Sequence, residues 1–203
     1  MRLPVRTISL AAVALATLTA TTVSAAATSP GSFGYHKVRT GVASGVPHFK
    51  LTSPDLRNGG EFPADAWAGQ FGCEGANRAP RLRWSGAPSG TRSYAISMYD
   101  PDAPTGSGFW HWVNWDVPAS VKSLSGELPS GAVAGTNDAG AKGYLGPCPP
   151  AGDRVHHYEV TVLALDVPSL GLPAETGPAM ASFAMSGHVL GYARLTVNAR
   201  RPA

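Results

Sequence analysis

Glycine (24 residues) and proline (18 residues) make up about a fifth of this 203-residue chain, and this restricts the fold more than any other feature. Both residues disrupt helix interiors, glycine through its backbone freedom and proline through its missing amide hydrogen. Hydrophobic residues still account for 43% of the chain, which is enough for a core and excludes wholesale disorder. The sequence therefore predicts a single domain that is mainly β and rich in turns.

The first 27 residues are predicted to be a secretory signal peptide. Arg2 and Arg6 precede an apolar run over residues 8–20, and small residues follow at 23–27. This order is typical of an export signal, and the run is too short to span a bilayer. An uncleaved anchor helix is the alternative.

The rest of the chain is expected to be a mobile N-terminal arm, residues 28–47, followed by one domain over residues 48–203. The arm is rich in glycine, serine and threonine and lacks periodicity. No later apolar stretch approaches transmembrane length, so we expect no integral membrane segment in the mature chain. We expect an exported, soluble protein that is either secreted or retained at the cell envelope.

The charge balance excludes a nucleic-acid partner. The net charge is +3, and it falls to +1 when Arg2 and Arg6 are removed with the signal peptide. No cluster of basic residues remains that could neutralise a run of phosphates.

Cys73 and Cys148 are the two cysteines of the sequence. In an oxidising compartment a single pair is most simply interpreted as a disulfide, while two separate buried thiols are the alternative. A metal site built on them is disfavoured because the sequence has no Cys-x-x-Cys pair.

Short alternating segments predict a β-sandwich or Greek key with a helix near the C-terminus. A helix is expected over residues 178–195, with an apolar stripe that Gly187 interrupts. The stretch from 118 to 152 shows no convincing element and is interpreted as a functional loop. Strands are expected at 49–52, 80–84, 93–99, 110–117, 157–165 and 194–197, and the helical stripe comprises Met180, Phe183, Ala184, Val189, Leu190 and Ala193.

Polar side chains follow or begin three of these strands. Asp100 ends one strand, and in the next one Trp110 and Trp112 are expected to face one way and His111 the other. His156 and Tyr158 share a face that continues into the core. We expect Asp100, His111, His156 and Tyr158 to wall one small cavity, with Pro147 at its lip.

Two imidazoles, a phenol and backbone amides form a set of hydrogen-bond donors. Such a set suits a small anion, for example phosphate, acetate or a phospholipid head group. Asp100 would orient one imidazole and raise its proton affinity. The sequence therefore predicts a binding pocket without a cofactor or a bound metal.

At these residues the chain resembles the phosphatidylethanolamine-binding protein family, in its bacterial branch of kinase-inhibitor-like proteins. The resemblance covers roughly residues 49–195. It depends on Asp100-Pro101-Asp102-Ala103-Pro104 with Trp110-His111-Trp112-Val113, and on Gly146-Pro147-Cys148-Pro149-Pro150 with His156-His157-Tyr158.

The resemblance implies an antiparallel β-sandwich with one or two peripheral helices and one anion-binding pocket. It implies ligand-binding roles for six residues: Asp100, His111, Gly146, Pro147, His156 and Tyr158. Asp102, Pro104 and Trp110 would shape the pocket. It also favours the Cys73–Cys148 disulfide. The family usually has arginine where His157 stands, which puts a loop salt bridge in doubt.

Two other function classes remain open at this stage. Family members act as inhibitors of kinases or proteases through the pocket rim, so a protein partner is one alternative. A metal-assisted or acid–base hydrolase using Asp100, His111 and His156 is the other. The sequence has no Gly-x-Ser-x-Gly motif, and Cys148 could act as a nucleophile only if it were unpaired. We therefore expect a binding protein and not an enzyme.

Overall fold

The structure is a computed structural model that describes residues 41–203. The predicted signal peptide and residues 28–40 of the predicted arm lie outside the described residues. In the remaining part of that arm, Val42 is buried, and the Pro47 carbonyl accepts a hydrogen bond of 3.0 Å from the Tyr192 amide. No helix within residues 41–203 is long and apolar enough to cross a membrane.

Antiparallel strands in two sheets make up most of the regular structure, which confirms the predicted β-sandwich. Five strands form a sheet in the order β6-β4-β3-β7-β8, and three form a smaller sheet in the order β1-β2-β5. The elements are β1 (Lys50–Thr52), a 3-10 turn (Ala64–Ala66), β2 (Leu82–Ser85), β3 (Ser93–Asp100), β4 (Phe109–Pro118), β5 (Ser123–Leu124), β6 (Val133–Ala134), β7 (His156–Leu165), α1 (Pro178–Ser186) and β8 (Val189–Ala199).

The larger sheet is covered on both faces. One face packs against the smaller sheet, and side chains such as Trp84 and Tyr94 meet there with ring centroids 5.4 Å apart. The opposite face packs against α1, where Ala181 and Met185 contact a cluster that includes Trp115. Because β3 is apolar on both faces, its near-continuous hydrophobic sequence fits a central strand.

The predicted helix is correct at its start and wrong at its end. It begins with Pro178, a residue suited to the first helical position, and it ends at Ser186 with Gly187 as the C-cap. Residues 189–193 belong instead to β8, whose buried side chains alternate as far as Ala199. The predicted stripe is also wrong, since Met180 and Phe183 are exposed and the buried helical face is Pro178, Ala181 and Met185.

The predicted loop region contains two short strands, β5 and β6, and one end of a disulfide. Cys148 is bonded to Cys73, with Cα atoms 6.0 Å apart, which confirms the predicted pair. The bridge joins the segment before β7 to the segment that follows the 3-10 turn. Both segments contribute residues to the cleft described below.

Candidate functional site

The four predicted wall residues lie at one end of the larger sheet, where β3 ends and where β4 and β7 begin. Asp100 pairs with Phe109 of β4, and Tyr99 pairs with Glu159 of β7. In an antiparallel sheet the end of one strand lies beside the start of its neighbour. The topology thus brings together side chains that are up to 58 positions apart in the sequence.

A β-bulge in β4 determines where His111 points. The register passes from Met98 opposite Trp112 to Tyr99 opposite Trp110, so His111 is the extra residue. Trp112 belongs to the core between the sheets, and the His111 ring lies 5.1 Å from the ring of Tyr158 in that core. Trp110 lines a cavity on the helix side. The predicted alternation of Trp110, His111 and Trp112 is wrong because the bulge breaks it.

Six of the nine residues predicted to bind the ligand or shape the pocket line one cleft with a volume of about 220 Å³. They come from β3, β4, β7 and the loops around Pro104 and Gly146. The six are Asp100, Pro104, His111, Gly146, His156 and Tyr158.

The other three predicted residues lie outside the lining. The Pro147 carbonyl accepts a hydrogen bond of 3.2 Å from the Ala68 amide. The Trp110 ring packs against the Tyr99 ring at a tilt of 37°, with ring centroids 4.5 Å apart. Asp102 accepts bonds from the His157 amide at 2.8 Å and from Nδ1 of His157 at 2.7 Å. Asp102 therefore supports the start of β7 through His157.

His156 carries the positive charge of the site. It is fully buried, its Nδ1 lies 2.7 Å from Oδ2 of Asp100, and its Nε2 lies 3.2 Å from Oδ2 of Asp153. Burial by itself would lower the pKa of His156, but the two carboxylates outweigh burial and raise it. Both ring nitrogens lie within hydrogen-bond distance of a carboxylate oxygen, and the imidazolium, which donates from both nitrogens, is the form that satisfies both contacts.

His111 is neutral at physiological pH. Its Nδ1 donates a hydrogen bond of 3.1 Å to the Leu145 carbonyl, and the side chain is 7% exposed. Burial lowers its pKa to about 4, although the nearby Asp100 carboxylate favours the charged form. The carbonyl can only accept, so the proton of the neutral ring is on Nδ1 and Nε2 keeps a lone pair.

Tyr158 supplies a hydroxyl donor. The residue is fully buried, and burial, the charge of the Asp100 carboxylate and a hydrogen bond to that carboxylate raise its pKa well above the usual value. Its ring packs edge-on against Phe62 at 5.4 Å, which fixes its orientation. The hydroxyl therefore keeps its proton at any physiological pH.

Asn77 and Gly146 hold the mouth of the cleft. The Gly146 amide donates a bond of 2.7 Å to Oδ1 of Asn77, and Nδ2 of Asn77 donates one of 3.0 Å to the Tyr144 carbonyl. A Cβ atom on Gly146 would lie 2.2 Å from the Ala66 carbonyl oxygen, so only glycine fits there. Cys148 lines the cleft next to this segment, which attaches the disulfide to the rim.

Sequence reasoning missed Asp153 and the apolar lining. Asp153 precedes His156 by three positions, and that short spacing was the available signal. Phe71 is 64% exposed at the rim and adopts a left-handed backbone conformation, with φ of 59°. The lining also includes Phe109, Leu145, Pro149 and Pro150. Within residues 41–203, no group of three or more His, Cys, Asp or Glu side chains could hold a metal ion.

Comparison with known proteins shows the family of this chain. Residues 52–200 match the family model described as "Phosphatidylethanolamine-binding protein". The chain belongs to the phosphatidylethanolamine-binding protein family. Every residue that lines the cleft falls inside the matched range.

Within this family the chain belongs to the branch of YbcL and YbhB. It is 40% identical to Escherichia coli YbcL over 156 residues, covering 73% of this chain and 85% of that protein. It is also 40% identical to Escherichia coli YbhB over 154 residues, covering 72% of this chain and 97% of that protein.

A solved structure supports the same assignment. The crystal structure of E. coli YbcL, described as a new member of the mammalian family, superposes with a TM-score of 0.74 at 38% identity. The match covers 75% of this chain and 98% of that one. The phosphatidylethanolamine-binding protein fold is therefore shown by sequence and by structure.

Proposed function

We propose that this member of the phosphatidylethanolamine-binding protein family binds small anions in the cleft and is not an enzyme. Phosphate, acetate and a phospholipid head group are the ligands that the cleft would suit. The observation that carries the proposal is a cleft in which the His111 imidazole and the Tyr158 hydroxyl converge between largely apolar walls. His156, whose two ring nitrogens face carboxylates, forms the wall beside them. Hydrogen bonds to an anion are stronger beside apolar walls than in bulk water.

The chemistry of the lining favours binding over catalysis. Thr105, a hydroxyl residue in the lining, donates to the Gly108 carbonyl. Cys148 is consumed in the disulfide, so it offers no thiolate nucleophile. The imidazolium of His156 is held by two carboxylates, which leaves it no lone pair to act as a base.

Export of the protein is part of the proposal. The N-terminal sequence has the order of a secretory signal, and a disulfide is favoured in an oxidising compartment. A Mycobacterium tuberculosis protein named "Putative lipoprotein LppC" is 38% identical over 146 residues, covering 71% of this chain and 69% of that protein. That name suggests export for one relative.

Calorimetric titration at pH 6 tests the binding function. Inorganic phosphate, acetate and glycerophosphoethanolamine are compared to separate a free anion from a complete head group. Tyr158→Phe should weaken binding about tenfold or more, because a hydrogen bond to a charged group contributes about 1.5–3 kcal/mol. Tyr192→Phe is the matched control, since Tyr192 contacts His48 and Arg194 instead of the cleft. Equal affinities in both variants, or no binding of any anion, would contradict the proposal.

A further inference from the structure

We propose that the cleft takes up a singly charged oxyanion together with one proton, which binds to Nε2 of His111. The inference rests on the proposed anion binding and specifies the charge class of the ligand. It follows from the hydrogen bonds around two histidines and from the charge that these leave in the cleft.

The first step is the tautomer of His111. Its Nδ1 is 3.1 Å from the Leu145 carbonyl oxygen, and the Leu145 amide donates back to the His111 carbonyl at 3.0 Å. These two bonds fix the ring against the segment before Gly146. The neutral ring therefore presents the lone pair of Nε2, and a lone pair repels an oxyanion instead of binding it.

The second step is the charge of the cluster. The imidazolium of His156 lies between the carboxylates of Asp100 and Asp153, so the three groups together carry one negative charge. Asp100 also accepts a hydrogen bond of 2.9 Å from the Asp102 amide. An anion that entered without a proton would face this negative cluster in a cleft with largely apolar walls. Protonation of His111 brings the cluster to neutrality and creates the missing donor.

The third step concerns the groups that face His111 and determine its pKa. From β3 there is Asp100, from β7 there are His156 and Tyr158, and the loop presents the carbonyls of Leu145 and Gly146. In the empty cleft, burial outweighs these groups and holds the pKa of His111 near 4. A bound oxyanion adds a negative neighbour and raises that pKa. One proton compensates one charge, so monoanions such as phosphodiesters should bind better than dianions.

The test uses dimethyl phosphate, a phosphodiester that carries a single charge throughout the range from pH 5 to pH 7. Affinity should fall about tenfold per pH unit, hence about 100-fold over this range, because one proton is bound with each ligand. Titration at pH 6.5 in two buffers of different ionisation enthalpy should show the uptake of about one proton per ligand. Sulfate, a dianion, should bind more weakly under the same conditions.

Two variants locate the proton. His111→Gln offers a permanent amide donor near the position of Nε2, so it should bind dimethyl phosphate with little dependence on pH. His188→Gln is the control, because His188 pairs with Asp166 at the exposed end of β7 and should leave the pH slope unchanged. If His111→Gln fails to fold, the titration of the unaltered protein in two buffers still shows whether a proton is taken up with the ligand.

The outcomes separate the two proposals. No binding of dimethyl phosphate or phosphate at any pH would contradict the anion-binding function itself. Binding without proton uptake would overturn this inference and leave the function standing. Proton uptake that persists in folded His111→Gln would assign the proton to another group and would also overturn it.

Discussion

At the scale of single residues, the charge of the site depends on His156, which is fully buried. His156 touches carboxylates through both ring nitrogens, at 2.7 Å and 3.2 Å. Removing His156 would leave Asp100 and Asp153 without the cation between them, which is costly for buried charges. Variants of the surrounding carboxylates therefore test its charge more cleanly than a variant of the histidine.

Asp153→Asn should reduce the pH dependence of stability above pH 6.5. Because the folded pKa of His156 is raised, its stabilisation is complete below about 6.5 and is lost as pH rises through the folded pKa. Without Asp153 the pKa of His156 in the folded protein is lower, so the loss of stabilisation is complete at a lower pH. Urea unfolding between pH 6 and pH 9 measures this, with Asp166→Asn as an exposed control. Identical pH profiles for Asp153→Asn and the unaltered protein would be inconsistent with the imidazolium.

Gly146→Ala tests the close packing at the mouth of the cleft. The added Cβ would lie 2.2 Å from the Ala66 carbonyl oxygen and 2.5 Å from the Ala68 nitrogen, both of them backbone atoms. We expect a loss of about 1–3 kcal/mol in the free energy of unfolding, as is typical of overpacking. Gly187→Ala, where the new Cβ has no neighbour within 4 Å, should change it by less than about 0.5 kcal/mol. A fully stable Gly146→Ala protein would refute this description of the rim.

At the scale of secondary structure, the sequence predicted the long strands well and the helix end poorly. Strands β3, β4 and β7 combine β-forming residues with flanking turns, so their patterns are unambiguous. The error over residues 189–193 arose because Val189, Leu190 and Ala193 also fit a helical period. Pairing with β7, which is a tertiary interaction, decides in favour of the strand.

The bulge in β4 limits what could be inferred about the site. Strict alternation predicts that His111 and Trp112 lie on different faces of the larger sheet. Because of the extra residue in β4, both side chains lie on the face that packs against the smaller sheet. The segment from Phe109 to Val113 contains no glycine that would indicate a bulge. The nearest one, Gly108, precedes β4. The structure nevertheless brings the four predicted wall residues to one cleft, because they lie at or near the end of β3 and the starts of β4 and β7.

Two methionines on α1 provide a matched test of the helix face. Met185→Ala should destabilise the protein by about 2–5 kcal/mol, because Met185 is 3% exposed and packs on the sheet. Met180→Ala should change the free energy of unfolding by less than about 0.5 kcal/mol, because Met180 is 59% exposed. Chemical denaturation measures both values. A larger loss of stability in Met180→Ala than in Met185→Ala would contradict the packing of the Met185 face of α1 on the sheet.

At the scale of the whole molecule, the disulfide connects two segments of the rim that are 75 positions apart. Arg201 reinforces this connection, since its Nη1 donates to the carbonyls of Phe71 at 3.2 Å and Gly72 at 3.0 Å. The C-terminal end of the chain therefore contributes to the same rim. The presence of two cysteines in a chain with a predicted export signal suggests the pair, but the arginine contact depends on the assembled sheet.

Reduction of the Cys73–Cys148 bond should destabilise the protein and weaken anion binding together. Closing a loop of this length contributes about 4 kcal/mol in the chain-entropy model, and measured values are commonly nearer 2–4 kcal/mol. Affinity should fall as well, because Cys148 lines the cleft. Melting and titration of the Cys73→Ala/Cys148→Ala variant measure the two effects. Unchanged values for both would show that the bridge does not hold the rim.

The protonation states of two histidine rings test the account most directly. A nitrogen-edited NMR spectrum of the side chains at pH 6.5 should show His156 protonated on both nitrogens and His111 neutral with its proton on Nδ1. Saturating dimethyl phosphate should convert His111 to the doubly protonated form and leave His156 unchanged. A neutral His156, or a His111 signal that saturating ligand does not alter, would contradict the account.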